Sequence, residues 1–282
     1  MNRILVPTDF SNIAANALNV ALDIAEKSNA EIYLLNVIEP LVDAGFSASG
    51  SLDFEYTITE EDRYIYELHA VNEKKLAAFA ARYARGNVDI CPTIAIDKVG
   101  DGVLGFMKKH KIDLVVMGTS GENTFEEYFI GNHTEQVMRE ANRPVLAIRN
   151  QIDKFKMENV VIATDLKTNA SECMSHLLGL FNELKPQIHL LHISRSNSIS
   201  VKETDEKISQ FAKKHQLENY TSNVIRHNKL KMGIQRFASE MKADMIVTFT
   251  HGRKGLAHFF KGSISEDLVR QAKVPVLSVH ID

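Results

Sequence analysis

Two glycine turns separated by nine residues carry the most specific chemistry in this sequence. Gly118-Thr119-Ser120-Gly121 closes an apolar run read as a strand over 112–117, and Gly131-Asn132-His133-Thr134 opens a helical pattern after the gap. Glycine lets a backbone approach an oxyanion with no Cβ in the way. A helix start adds unpaired N–H groups and the positive end of the dipole. Converging on one point, the two turns form a candidate phosphate cradle. The same glycines also end strands and start helices in folds that bind nothing, so spacing alone leaves both readings open. Asp9 closes the first apolar run, after Pro7 and Thr8, and brings a carboxylate to the same crevice. There it can accept from a base or a ribose, or hold a divalent cation.

Other chemistries find less support. Neither a G-x-S-x-G elbow nor a P-loop is present, and no Ser or Cys sits in a nucleophile motif, so no catalytic residue is assigned. His251 and His258 are seven apart, too far for an i,i+4 ligand pair, and His189 and His192 have no Cys or carboxylate at matching spacing; no metal site is expected. Cys91 and Cys173 form no C-x-x-C and read as small buried hydrophobes in a reducing compartment. A net charge of -3 argues against a nucleic-acid partner. No charged start precedes a long apolar stretch, and no apolar run approaches the ~20 residues of a membrane span. The expected location is the cytoplasm, with no membrane partner.

The elements that position these residues occur twice. Arg3-Ile4-Leu5-Val6-Pro7-Thr8-Asp9 returns 156 residues later as Asn159-Val160-Val161-Ile162-Ala163-Thr164-Asp165, and Ile32–Val37 returns at the same offset as Ile188–Ile193. Further on the offset is 131: Ile112–Val116 returns as Ala243–Val247, Gly121 as Gly252, Gly131 as Gly262, and Arg143–Leu146 as Val274–Leu277. This is a duplication, divided here into residues 1–150 and 151–282. The first copy carries about 25 extra residues, placed in the Gly- and Ser-rich stretch 40–62, which is either a lid or a tolerated insertion. The short segment Ser194–Ser200 replaces it in the second copy.

Continuous apolar runs such as Ile4–Val6 and Leu114–Met117 suit strands buried on both faces of a parallel sheet. Ser11 can cap a helix whose stripe is Ile13, Ala17, Val20 and Ile24. Ile65, Leu68, Leu76, Phe79 and Tyr83 give a second stripe, and Val103, Leu104 and Met107 a third, matched by Leu230, Ile234, Phe237 and Met241. The alternation predicts two doubly wound α/β domains, each with five parallel strands and a Rossmann-like crevice at the strands' carboxyl ends.

The whole pattern, G-x-x-G, nine residues, then a glycine at a helix start, resembles the ATP-binding signature of universal stress proteins. The opening Ile4–Ser11 and the closing Asn142-Arg143-Pro144-Val145-Leu146 are similar to that family's first strand and turn and its last strand. The resemblance implies an adenine-nucleotide α-hydrolase-like fold that pairs through its last strand, here within one chain as an internal pseudo-dimer, with a further homodimer as an added assembly. It also implies ATP, with Mg or Mn, as the bound nucleotide, any hydrolysis being incidental rather than enzymatic. Pro7, Thr8, Asp9 and the backbone of Val37 would then meet adenine or ribose. Gly118, Thr119, Gly121, Gly131, Asn132, His133 and Thr134 would hold ribose and phosphates. Asn132 departs from the family's Ser or Thr but still donates and accepts. The second copy offers Thr164, Asp165, Ile193, Gly252, Gly262, Ser263 and Ser265, yet Phe249 replaces Gly118 and either fills the pocket or turns into core. The resulting expectation is a cytoplasmic stress-response regulator holding nucleotide in its first copy. The alternatives are an interaction scaffold that binds none, or a binder of another small molecule.

Overall fold

Ser11 begins the first helix: its Oγ accepts from Ala14 N at 3.2 Å, and Asn29 ends the helix in the left-handed region. Between these caps α1 (Asn12–Ser28) buries Ala14, Ala17, Leu18, Val20, Ala21, Leu22, Ile24 and Ala25 on one broad face. The computed structural model describes residues 1–40, 60–119, 131–166, 172–194, 200–251 and 264–281. The first half continues β1 (Arg3–Pro7), α1, β2 (Glu31–Ile38), α2 (Glu60–Tyr83), β3 (Ile90–Ile96), α3 (Val99–His110), β4 (Leu114–Gly118), α4 (Asn132–Glu140) and β5 (Val145–Ile148). The second half repeats the order with β6 (Asn159–Ala163), α5 (Glu172–Leu184), β7 (Gln187–Ser194), α6 (Val201–Lys214), β8 (Tyr220–Arg226), α7 (Leu230–Glu240), β9 (Met245–His251), α8 (Ile264–Gln271) and β10 (Val276–Ile281).

The ten strands of the described residues join one sheet in the order β3-β2-β1-β4-β5-β10-β9-β6-β7-β8. Within each half the strands are parallel, as crossover helices require. At the centre β5 and β10 run antiparallel, pairing Ala147 with Val276, Leu146 with Leu277 and Val145 with Ser278. The last strands of the two copies therefore form the pseudo-dimer seam. Leu146 and Leu277 are fully buried there, and truncating either to Ala costs about 2–5 kcal/mol. Alternate strand residues feed two cores: α1, α2, α5 and α6 cover one face, while α3, α4, α7 and α8 cover the other. Winding reverses between β1 and β4, and between β6 and β9, so each copy has a topological switch point, the place where sheets of this kind take ligands at the strands' carboxyl ends.

Three expectations need adjustment. Helix α2 starts at Glu60, inside the stretch assigned to the 40–62 loop, where Glu60 and Glu61 suit a helix N-terminus; residues 41–59 lie outside the described residues. The strand expected from Ile112 starts at Leu114, because the Asp113 carboxylate turns back to accept from Asn2 N and Arg3 N. Cys91 is half-buried on the edge strand β3 rather than buried, and the side chain of Cys173 lies outside the described residues.

Candidate functional site

The carboxyl end of β1 is built from local bonds. Thr8 N donates to Leu35 O at 2.8 Å, the last ladder bond before the chain leaves the sheet. Phe10 then adopts φ 68°, a left-handed conformation costing a bulky residue about 1–2 kcal/mol, and its N–H donates to Thr8 Oγ1 at 3.0 Å. The Phe10 ring meets Phe79 edge-on at 5.8 Å. Asp9 is exposed; its Oδ1 accepts from Ser11 N at 3.0 Å, and its Oδ2 has no partner among the described residues. Leu35 directs its carbonyl to β1, and Ile38 directs its own to Asp97 N at 3.1 Å. Strand alternation therefore aims the peptide groups of Val37 toward the β1 side, beyond the point where β1 ends. Extending the register that pairs Pro7 with Leu35 sets Asp9 opposite Val37.

The second limb joins β4 to α4. Thr119 is buried and donates its N–H to Ile148 O at 3.0 Å, while Gly131 N donates to Thr119 O at 2.5 Å. Thr134, also buried, donates its hydroxyl to Gly118 O at 2.9 Å. These bonds bring Gly118, Thr119, Gly131 and Thr134 together, and they place the Thr134 hydroxyl inside the fold. Asn132 and His133 stand exposed at the start of α4, which no side chain among the described residues caps. The two glycines differ in what requires them. A Cβ at Gly118 would lie 2.1 Å from Ile13 Cγ2, so α1 demands that glycine. A Cβ at Gly131 would meet only Thr119 O at 3.5 Å, and Gly131 has an ordinary φ of -59°. Gly121 lies outside the described residues.

The second copy keeps the first limb and alters the second. Thr164 N donates to Leu191 O at 3.0 Å, Thr164 Oγ1 accepts from Leu166 N at 3.0 Å, and Leu166 repeats the left-handed turn with φ 65°. Asp165 is exposed, and Ile193 ends up buried beside α7. At the position of Gly118, Phe249 is half-buried and meets Phe211 edge-on at 6.3 Å, packing against the core. Ser265, the counterpart of Thr134, is buried against Thr248, with the hydroxyl oxygens 2.8 Å apart. Gly252, Gly262 and Ser263 lie outside the described residues.

Charge also changes at the rim. Asp97 Oδ1 accepts from Lys98 N at 2.8 Å before α3, whereas His227 Nδ1 accepts from Lys229 N at 3.0 Å before α7. His189 lies 2.9 Å from Thr221 Oγ1, and burial holds its imidazole below the usual value. Among the described residues no group of three or more His, Cys, Asp or Glu is placed to hold a metal ion, and no helix is long and apolar enough to cross a membrane. Two positioning residues escaped the sequence reading. Ile13 looked like one more member of an apolar stripe, with nothing to mark its fit to Gly118. Asn36 donates to Thr8 O at 2.8 Å and accepts from Asn72 of α2 at 3.0 Å. A polar residue inside an apolar strand, with His192 at the same place in the second copy, was the available signal.

The model of the Universal stress protein family matches residues 1–149 and again 156–280. The chain belongs to the universal stress protein family. It is a tandem member, carrying two such domains. A universal stress protein of Methanocaldococcus jannaschii is 26% identical over 147 residues, covering 52% of this chain and 81% of its own length. A solved universal stress protein of Archaeoglobus fulgidus superposes over 99% of this chain and 98% of its own, with TM-score 0.69 and 18% identity. A Pseudomonas aeruginosa protein of unknown function superposes over 100% and 93%, with TM-score 0.62 and 15% identity. At those identities the two structures speak for the fold alone: a chain-long pair of UspA-type α/β domains.

Proposed function

We propose that this tandem universal stress protein is a nucleotide-binding stress-response regulator, and that residues 1–150 hold the nucleotide while residues 151–282 act as the paired partner. The observation that carries the reading is the contrast between Gly118 and Phe249. In the first copy β4 ends in Gly118, which carries no side chain and packs against Ile13 of α1, beside the start of α4 where Asn132 and His133 are exposed. In the second, an aromatic ring seated on Phe211 occupies the equivalent position.

The ligand is an adenine nucleotide, ATP with Mg or Mn. The peptide groups of Val37 and the carboxylate of Asp9 suit base and ribose, both of which offer donors and acceptors. The backbone around Gly118, Thr119 and Gly131, with Asn132 and His133, suits the phosphates. Thr134 contributes by fixing α4 to β4. The nucleotide is read as a signal or ordering ligand in a cytoplasmic protein rather than as a substrate. The last-strand edge is already used within the chain, so any homodimer uses another surface. A second reading, an interaction scaffold without nucleotide, draws on the same Phe249.

Thermal unfolding in Mg-ATP tests the proposal. A ligand at about 100 times its Kd stabilises by ~2.7 kcal/mol, which raises Tm by roughly 5–10 °C for a protein of this size. Among the described residues a Cβ at Gly131 meets nothing closer than Thr119 O at 3.5 Å; Gly131→Val places a branched side chain at the cradle and should lose that shift. No shift in the wild type at millimolar Mg-ATP would favour the scaffold.

A further inference from the structure

Helix α4 carries a carboxylate in the turn that would receive phosphate. Glu135 lies in its first turn, one residue beyond the Thr134 that ties the helix to Gly118. In an unliganded helix this placement is favourable, since a negative side chain complements the positive end of the dipole. For a phosphate arriving at Asn132 and His133 it is adverse, because two negative groups then share one helix end.

The second copy supplies the counter-charge. Arg270, in the last turn of α8, donates from Nη2 to Glu135 Oε1 at 2.5 Å, and both side chains are partly buried. The arginine is itself held at the seam. Arg149, the residue after β5, donates from Nη1 to the carbonyl of Arg270, while Asn150 Nδ2 donates to Lys273 O at 3.1 Å. These contacts flank the antiparallel pairing of β5 with β10. The backbone of Arg270 is thus tied to the first copy beside the seam, and its guanidinium reaches across to the helix of the candidate cradle. Arg139, the first-copy counterpart of Arg270, lies against its own neighbour Glu140 at 3.4 Å.

We propose that Arg270 of the second copy is a positioning residue for the nucleotide site of the first, drawing the charge of Glu135 away from the phosphates. The inference rests on the nucleotide reading above and gives the pseudo-dimer a role in binding: the first copy's site is electrostatically incomplete without the second.

The test is a double-mutant cycle on Mg-ATP affinity in the full chain, measured by calorimetry with thermal unfolding of each variant in parallel. Arg270→Met should weaken binding about 5- to 10-fold. Glu135→Gln should bind at least as tightly as the wild type, and adding Arg270→Met to it should change affinity less than about twofold. Arg270→Lys, which keeps the charge, should stay within about threefold of the wild type. A loss in Arg270→Met that persists undiminished in the Glu135→Gln background would assign Arg270 a purely structural role and overturn the proposal. Equal affinity of wild type and Arg270→Met would overturn it as well. A wild type that binds no ATP defeats the nucleotide reading itself, and that result is distinct because it precedes any variant.

Discussion

His192 places Nδ1 3.1 Å from the carbonyl oxygen of Thr164. In the first copy the same bond runs from Asn36 Nδ2 to Thr8 O at 2.8 Å. Different side chains thus satisfy one carbonyl left at the end of the first strand of each copy. A carbonyl can only accept, so the imidazole must carry its proton on Nδ1, and protonating the ring leaves this bond in place. His192→Asn should therefore leave stability within about 0.5 kcal/mol, whereas His192→Leu strands a buried carbonyl and should cost about 1–3 kcal/mol. Urea unfolding of the two variants compares them directly; equal costs would show that the bond does not stabilise the strand end.

Gly118 is fixed by Ile13. Because a Cβ at 118 would lie 2.1 Å from Ile13 Cγ2 and 3.2 Å from the Ile13 carbonyl carbon, Gly118→Ala must displace the first turn of α1. The expected cost is about 1–3 kcal/mol, the range for overpacking. Ile13→Ala removes the methyl group in closest conflict, so the double variant should lose less than the sum of the single losses. Strict additivity in denaturant melts would remove Ile13 as the reason for the glycine.

The two copies also meet through a titratable pair. Asp113 Oδ1 lies 3.2 Å from His176 Nδ1 of α5, and its Oδ2 accepts from Asn2 N at 2.7 Å and Arg3 N at 3.1 Å. Burial pushes this carboxyl up, but the bond from His176 and those two N–H groups outweigh it and bring it from 3.8 down to about 2. A depressed folded-state value means stability that is present above the unfolded value and lost as pH falls through the folded one. The wild type should therefore lose the Asp113 contribution between about pH 4 and pH 2. Asp113→Asn should be less stable than the wild type at pH 7, with the gap closing across that window. A gap of constant size from pH 7 to pH 2 would contradict the assignment.

Most of the architecture was legible because the duplication states it twice. Constant offsets fixed which runs are equivalent, and the buried runs at Ile4–Val6 and Val160–Ile162 became β1 and β6, each between two parallel neighbours of its own half. The seam was legible only through family resemblance, since nothing in Val145–Ile148 or Val276–Ile281 shows which edge pairs with which. Of the candidate site, the glycine turns and the helix start at Gly131 were visible as spacing. Their separate causes were not: the need for glycine at 118 comes from Ile13, more than a hundred residues earlier in the chain. Thr134 looked like a phosphate ligand because a hydroxyl at a helix start suits either task, and only the fold shows it bonded to Gly118 O. Arg270 was invisible for the same reason, its partner Glu135 belonging to the other copy.

The stoichiometry of Mg-ATP binding, read by calorimetry on the wild-type chain, tests the central claim most directly. Gly118 and the exposed start of α4 in the first copy, against Phe249 in the second, predict about one nucleotide per chain, with affinity lost in Gly131→Val. Two equivalent sites per chain, or one site that survives Gly131→Val, would contradict the assignment of the nucleotide to the first copy.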